Sequence, residues 1–340
     1  MKILLPERLP LSTNKTAREI MKKLVLFSGI MLMIVCAVSA QQIGRRSQFM
    51  FNPYLVNPAV AGSKNYSPIL ASYRNQWTGF NGAPTTATLS AHTALPNNIG
   101  VGGIFFNDNT GGAIKRTGVE LTGAYKVDLT NEDQISFGLS GVLGQFKFNN
   151  DSLVYYDPND IALQGNIESQ FNFDASFGML VFGEQYYFGF AVPQLMQSKL
   201  NVQTNAGAYE NKNIRHYILM GSYVYFASDE WSIQPSAMAK LTGVTPVQFD
   251  VNFRAIYMES IWGGISYRHK DAVVLITGIE YNSFVFGYGY DITTSDAKSF
   301  SPHTHEVSLG YHIQRGGKGF VNRSLGGKRI IPRKKIERSK

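Results

Sequence analysis

Cysteine is nearly absent. The 340-residue chain has one, Cys36, inside an apolar stretch near its start. If that stretch is a leader, the mature chain has none, which excludes a disulfide framework and a thiolate metal site. Charge is scarce at 16% of residues, and beyond the N-terminus no apolar run approaches the roughly 20 residues of a membrane-spanning helix. No Gly-x-Ser-x-Gly elbow is present, and Gly100-x-Gly-Gly103 falls inside a strand pattern rather than at a strand-to-helix turn, so neither an α/β-hydrolase nor a phosphate-cradling loop is indicated. What the chain has in quantity is glycine (33), phenylalanine (22) and tyrosine (18). That composition argues for an all-β chain with aromatic girdles.

Met21-Lys-Lys, the apolar Leu24 to Val35 and Val38-Ser-Ala40 have the order of a secretory signal: positive start, short apolar core, small-residue cleavage site. Residues 1–40 are therefore expected to be a signal peptide cut after Ala40. Residues 1–20 fit no part of such a signal, so translation is expected to start at Met21. Val35 before Cys36 argues against a lipoprotein site.

The formal charge of +8 belongs to the two ends. Residues 1–40 carry six Lys/Arg against two Glu and residues 315–340 carry ten against one, which leaves a net −5 between them. The main body is thus not a nucleic-acid surface. The glycine-rich basic block from 314 to 340 is expected to be a solvated periplasmic tail. Its Arg333-Lys334-Lys335 run is a candidate arm for an acidic partner or anionic lipid.

Between them, period-two alternation dominates. Phe284, Phe286, Tyr288 and Tyr290 share one face of a strand whose other face is Ser283, Val285, Gly287, Gly289 and Asp291. A greasy aromatic face backed by a small, weakly polar one suits lipid outside and a filled or watery lumen inside. Similar alternation recurs from 68 to 313, in segments long enough for tilted membrane strands. Connections are very short at every second position; the intervening ones include long ones at 108–114, 149–169, 194–213 and 293–302. We expect a transmembrane outer-membrane β-barrel of about fourteen antiparallel strands over 68–313, with both barrel ends on the periplasmic side. Residues 41–67 are expected to form an N-terminal plug or a periplasmic lead-in.

Candidate chemistry is thin. His303 and His305 share a face beside Glu306, Ser90 and His92 share another, and Asp108, Asp157, Asn159 and Asp160 are placed in outer loops. None has the spacing of a metal or catalytic signature, so no cofactor or metal is expected. Candidate partner contacts are the two Asn-Pro turns, Asn52-Pro53 and Asn57-Pro58, and Trp77 and Phe80 beside the Asn81-Gly82 turn. The last pair also suits an interfacial aromatic belt.

Ser47-Gln-Phe-Met-Phe-Asn-Pro53, Asn57-Pro-Ala-Val-Ala-Gly62, Tyr73-Arg-Asn-Gln-Trp-Thr-Gly-Phe80 and Gly82-Ala-Pro-Thr-Thr86 resemble the PorP/SprF family of type IX secretion proteins. Ile233-Gln-Pro-Ser236, Tyr267-Arg268, Gly287-Tyr-Gly-Tyr-Asp291 and His305-Glu-Val-Ser-Leu309 continue the resemblance in order. It implies a non-enzymatic outer-membrane barrel. Such a barrel either links a periplasmic ring of the PorK/PorN type to the membrane or supports export or anchoring of a large surface adhesin used in gliding. The alternative is a porin or hydrophobic-solute transporter. The leader predicts a mature protein that begins at Gln41; N-terminal peptide mass spectrometry of outer membranes checks this, and any peptide from residues 1–20 contradicts a start at Met21.

Overall fold

A computed structural model describes residues 49–79, 82–112, 114–148, 169–204, 207–243, 245–299, 301 and 303–315. Fourteen strands form the wall. In order they are β1 Tyr66–Asn75, β2 Thr85–Ala94, β3 Ile99–Thr110, β4 Ile114–Asp128 and β5 Gln134–Phe148. Next come β6 Gln170–Phe182, β7 Tyr186–Val192 and β8, which is His216–Tyr223 continued as Tyr225–Phe226 in one register on its neighbour. The last six are β9 Trp231–Thr242, β10 Gln248–Tyr257, β11 Ile261–Arg268, β12 Ala272–Tyr281, β13 Phe284–Thr293 and β14 His303–Gln314.

Each strand pairs antiparallel with its sequence neighbours, and β14 pairs with β1 from Tyr66↔Gln314 to Asn75↔His305, which closes the barrel. Closure leaves no edge whose N–H and C=O groups would face lipid.

The two rims differ as the sequence suggests. At the near rim, where β1 begins and β14 ends, connections have two to five residues. Three use consecutive left-handed residues: Asn97 and Asn98, Met258 and Glu259, Asn282 and Ser283. Paired positive φ values match the twist of tight hairpins, where asparagine is favoured. The far rim carries the long connections, one of which holds a further hairpin, Lys199–Thr204 with Gly207–Lys212.

One expected outer loop is not a loop. β3 continues to Thr110 and β4 starts at Ile114, so 108–114 contracts to a turn with Gly111 and Gly112 at positive φ. Two polar residues that read as loop extend the ladder instead: Asp108 lies opposite Arg116 and Asn109 opposite Lys115, while before them Asn107 Nδ2 donates to Thr117 Oγ1 at 2.8 Å. Asp108 is therefore a strand residue; Asp157, Asn159 and Asp160 lie outside the described residues.

The wall is inverted relative to a water-soluble protein. Leu121, Leu139, Phe173, Phe284 and Leu309 are exposed on the outside, while Thr122, Ser140, Asp174, Ser236 and Ser308 are buried on the inside. Apolar outside and polar inside is the arrangement a bilayer selects. Leu139 is the middle of the five outward apolar or glycine positions of β5, Ile135 to Leu143, and Tyr281 ends β12 at the near rim. Leu139→Arg should cost about 2–4 kcal/mol in a lipid-refolding urea titration and Tyr281→Arg about 0–1 kcal/mol. Equal small effects at both sites would contradict a membrane-embedded wall.

Candidate functional site

The lumen is filled by the chain itself. Proline fixes φ and lacks an N–H, so it suits the first position of a helix, and each Asn-Pro opens one 3-10 turn: Pro53–Leu55 and Pro58–Val60. The Asn57 side chain accepts from Ala59 N–H at 2.9 Å, and its Nδ2 donates to the carbonyls of Met179 on β6 (3.0 Å) and Phe190 on β7 (3.3 Å). Asn52 Nδ2 donates to Ser90 Oγ on β2 at 2.8 Å. Tyr54 Oη donates to Thr122 Oγ1 at 2.8 Å, and Thr122 in turn bonds Ser140. Burial raises the Tyr54 phenol above its ordinary value, which keeps it a donor.

Small inward residues make the seat. A Cβ at Gly138 would stand 2.4 Å from Ala59 N, one at Gly178 2.1 Å from Asn57 Oδ1, and one at Gly102 2.6 Å from the Tyr54 hydroxyl. The glycines that the alternation places on the inner face are thus where the segment comes closest to the wall.

Across the lumen, Phe49 and Met50 pack with Ala272, Val274 and Ile276 of β12, and Phe51 stacks on Trp262 at 5.3 Å. Ala272 opens β12 at the far rim. At the near rim Gly62 N–H donates to His92 Nδ1 (3.2 Å) and Lys126 Nζ donates to Gly62 O (2.8 Å). The segment therefore runs down the lumen from the far side to the near rim before turning into β1. Arg315 ties the two ends of the barrel together there, donating to the carbonyls of Ala94 and Lys64. Burial, with the Arg254 guanidinium nearby, brings the Lys64 ammonium down to about 7.

The sequence-derived candidates are thus split. Asn52, Pro53, Asn57 and Pro58 are together and buried inside the barrel. Trp77 lies at the far rim, half-buried and left-handed, its N–H donating to Thr304 Oγ1 at 3.0 Å. Phe80, Arg333, Lys334 and Lys335 lie outside the described residues.

Strand parity separates the histidine pair from the acid beside it. His303 and His305 face outward, where Tyr290 and Tyr288 hydroxyls meet their Nδ1 atoms, the second at 2.7 Å. Glu306 faces inward to Arg74. Ser90 and His92 do not engage each other: Ser90 Oγ donates to Leu70 O at 3.3 Å and accepts from Asn52, and His92 Nδ1 takes the Gly62 N–H.

A buried ionic network near the far rim was not anticipated. Arg74 Nη2 meets Asp291 Oδ2 at 2.9 Å and its Nη1 meets Glu306 at 3.2 Å. Arg268 Nη1 meets the same Asp291 oxygen at 3.3 Å and Asp271 at 3.1 Å, and its Nε approaches Asp250 at 3.5 Å. Asp291 therefore joins both arginines, linking β1, β10, β11, β13 and β14. The signal was available: Tyr73-Arg74, Tyr267-Arg268, Asp291 and His305-Glu306 all stand in stretches that carry the family resemblance, and all four charges fall on the inward parity.

The inner face of β8–β11 is mixed: Ile218, Met220, Val224, Met238 and Trp262 stand among polar residues, most of them on β9 and β10. Gln234 Nε2 donates to Ser222 Oγ at 2.8 Å, Arg254 Nη2 donates to Gln234 Oε1, and the Arg254 guanidinium stands 6.0 Å from the Trp262 ring. Among the described residues, Asn252, 1% exposed, has no partner for either amide atom, and neither do Ser236 Oγ and Arg254 Nε.

Solved structures similar to this barrel include a FadL homologue of Pseudomonas aeruginosa, with 10% identity over 80% of this chain and 95% of that one and a TM-score of 0.49. The Pseudomonas putida toluene transporter TodX gives 8% over 82% and 96%, TM-score 0.44. KdgM porin gives 10% over 72% and 98%, TM-score 0.37. The likeness is of the barrel alone. No curated protein matches the chain. The family of type IX secretion system membrane proteins PorP/SprF matches residues 38–311, which takes in the lumen segment, the inner network and nearly all of the wall, and the chain belongs to that family.

Proposed function

We propose that this outer-membrane barrel is a non-enzymatic interaction component of type IX secretion. In this role it links a periplasmic ring of the PorK/PorN type to the membrane or supports export or anchoring of a surface adhesin. The observation that carries this reading is the family match over 38–311. The near rim, with its short turns and both barrel ends, is the periplasmic side in this reading, and the basic tail with Arg333, Lys334 and Lys335 is the arm that meets an acidic partner. The tail carries ten Lys/Arg against one Glu from residue 315 onward, and a like-charged block supplies long-range attraction to a partner of opposite charge. A second reading, a porin or solute transporter, draws on the polar residues that β9 and β10 turn inward, Ser232, Gln234, Ser236, Asn252 and Arg254.

Affinity capture of the tagged protein from outer membranes, read by mass spectrometry, should recover ring lipoprotein or one adhesin. A deletion strain that secretes and glides normally would sink the proposal. Because Arg315 bonds the rim, the cut that isolates the tail is after Arg315. That truncation, or Arg333→Glu with Lys334→Glu and Lys335→Glu, should leave heat-modifiable folding intact and reduce partner recovery. Unchanged recovery would remove the tail from the interface.

A further inference from the structure

We propose that residues 49–62 are a removable plug, and that the barrel has a second state in which this segment withdraws and the lumen becomes an aqueous passage for hydrophilic solutes. The proposal rests on a group of inward polar side chains that the seated segment leaves in part unpaired. The segment is mainly apolar where it fills the lumen: Phe49, Met50, Phe51, Val56 and Val60 supply its bulk, and it packs on apolar wall residues that include Met220, Met238 and Trp262. Between those contacts β9 and β10 turn Ser232, Gln234, Ser236, Asn252 and Arg254 into the lumen, buried residues that suit water.

With the segment seated, buried polar atoms of this group have no partner among the described residues: both amide atoms of Asn252, Ser236 Oγ and Arg254 Nε. The Tyr187 hydroxyl on β7, beside β8, and His92 Nε2 on β2 are in the same condition. Buried polar groups are ordinarily paired, and an unpaired one is costly. A wall shaped only to grip an apolar segment would need none of these polar groups; they regain hydrogen bonds when water enters.

The attachments are also of a kind that can be undone. Among the described residues, neutral side-chain bonds from Asn52, Tyr54 and Asn57 tie the segment to the wall, with bonds to His92 and Lys126 holding only its last residue, Gly62, and no strand ladder includes it. The charged network of Arg74, Arg268, Asp291 and Glu306 joins wall to wall, so withdrawal leaves it intact. Gly62, at φ +71°, sits where the segment meets the near rim, and only Ser63 to Asn65 separate it from β1. That placement provides a hinge by which the segment can swing out through the near rim.

The test uses the full mature chain in planar lipid bilayers and in proteoliposomes. The unaltered protein should be silent at low voltage, and deletion of residues 49–62 should give steady conductance. A deletion variant that folds by gel heat-shift yet stays silent overturns the proposal, as does a steadily open unaltered protein. Should the deletion fail to fold, a second measurement decides. No cysteine follows residue 36, so Val60→Cys introduces a lone reporter at a fully buried site. A membrane-impermeant maleimide should label it slowly, and Asn57→Ala added to it should speed labelling about tenfold, the effect of removing hydrogen bonds that hold the closed state. Absence of labelling in both, or equal rates, overturns withdrawal. These readouts need no secretion partner, so their failure is distinct from failure of the secretion role.

Discussion

Everything in this structure follows from one constraint: lipid offers no hydrogen-bond partner to a backbone. A sheet placed in it must close, and closure requires the first strand to find the last across more than two hundred residues of chain. Here that seam is a ten-residue antiparallel register between β1 and β14. Once closed, the wall has two solvents. Outside, the bilayer rewards Leu139, Phe173 and Phe284; inside, residues such as Ser140, Asp174 and Asp291 meet one another, the lumen segment, or water. The inversion of buried and exposed chemistry is therefore a direct consequence of where each face ends up.

Closure creates a second problem. Fourteen strands enclose more space than the inward side chains of a glycine- and serine-rich face can fill, and a barrel of this size commonly holds a ligand, a channel or an internal plug. The chain places its own residues 49–62 there, and the wall accommodates them locally, with glycines 102, 138 and 178 under Tyr54, Ala59 and Asn57. On β8–β11 the segment also meets apolar residues, Met220, Met238 and Trp262, but Ser236, Asn252 and Arg254 stand buried among them. That part of the lumen thus combines a seat with side chains that suit water.

Much of the fold was legible because two periodicities coincide in a membrane barrel: side-chain alternation and the alternation of short and long connections. About fourteen strands expected over 68–313 are matched by fourteen from Tyr66 to Gln314. The exception, 108–114, misled because Asp108 and Asn109 have loop composition, and composition cannot show that Arg116 and Lys115 stand opposite. The lumen segment was harder. Asn52-Pro53 and Asn57-Pro58 read correctly as chain reversals, but single-sequence reasoning gives no distance between Asn57 and Met179 or Phe190, 122 and 133 positions away. The ionic network was hidden for the same reason: each charge looked like an isolated polar residue on an inward face. Parity made all of them neighbours of the lumen; only the register made them neighbours of each other.

That network is best understood through the seam. Buried ion pairs are poor evidence of net stability, because desolvation offsets much of their attraction. Their value lies in what a wrong arrangement would cost. Arg74 and Glu306 are direct partners across the β1–β14 seam, and Asp291 extends the contact to Arg268 on β11. A slip of β1 by one residue turns every side chain to the other face. It would aim Arg74 at lipid, where a charge is expensive, and leave Glu306 and Asp291 buried beside one arginine fewer. An apolar inner face would tolerate that slip far better, since its residues would merely meet lipid. Charges at the seam therefore discriminate among registers that hydrophobicity alone would leave close in energy, and they do so at the one joint where no short hairpin turn fixes the alignment.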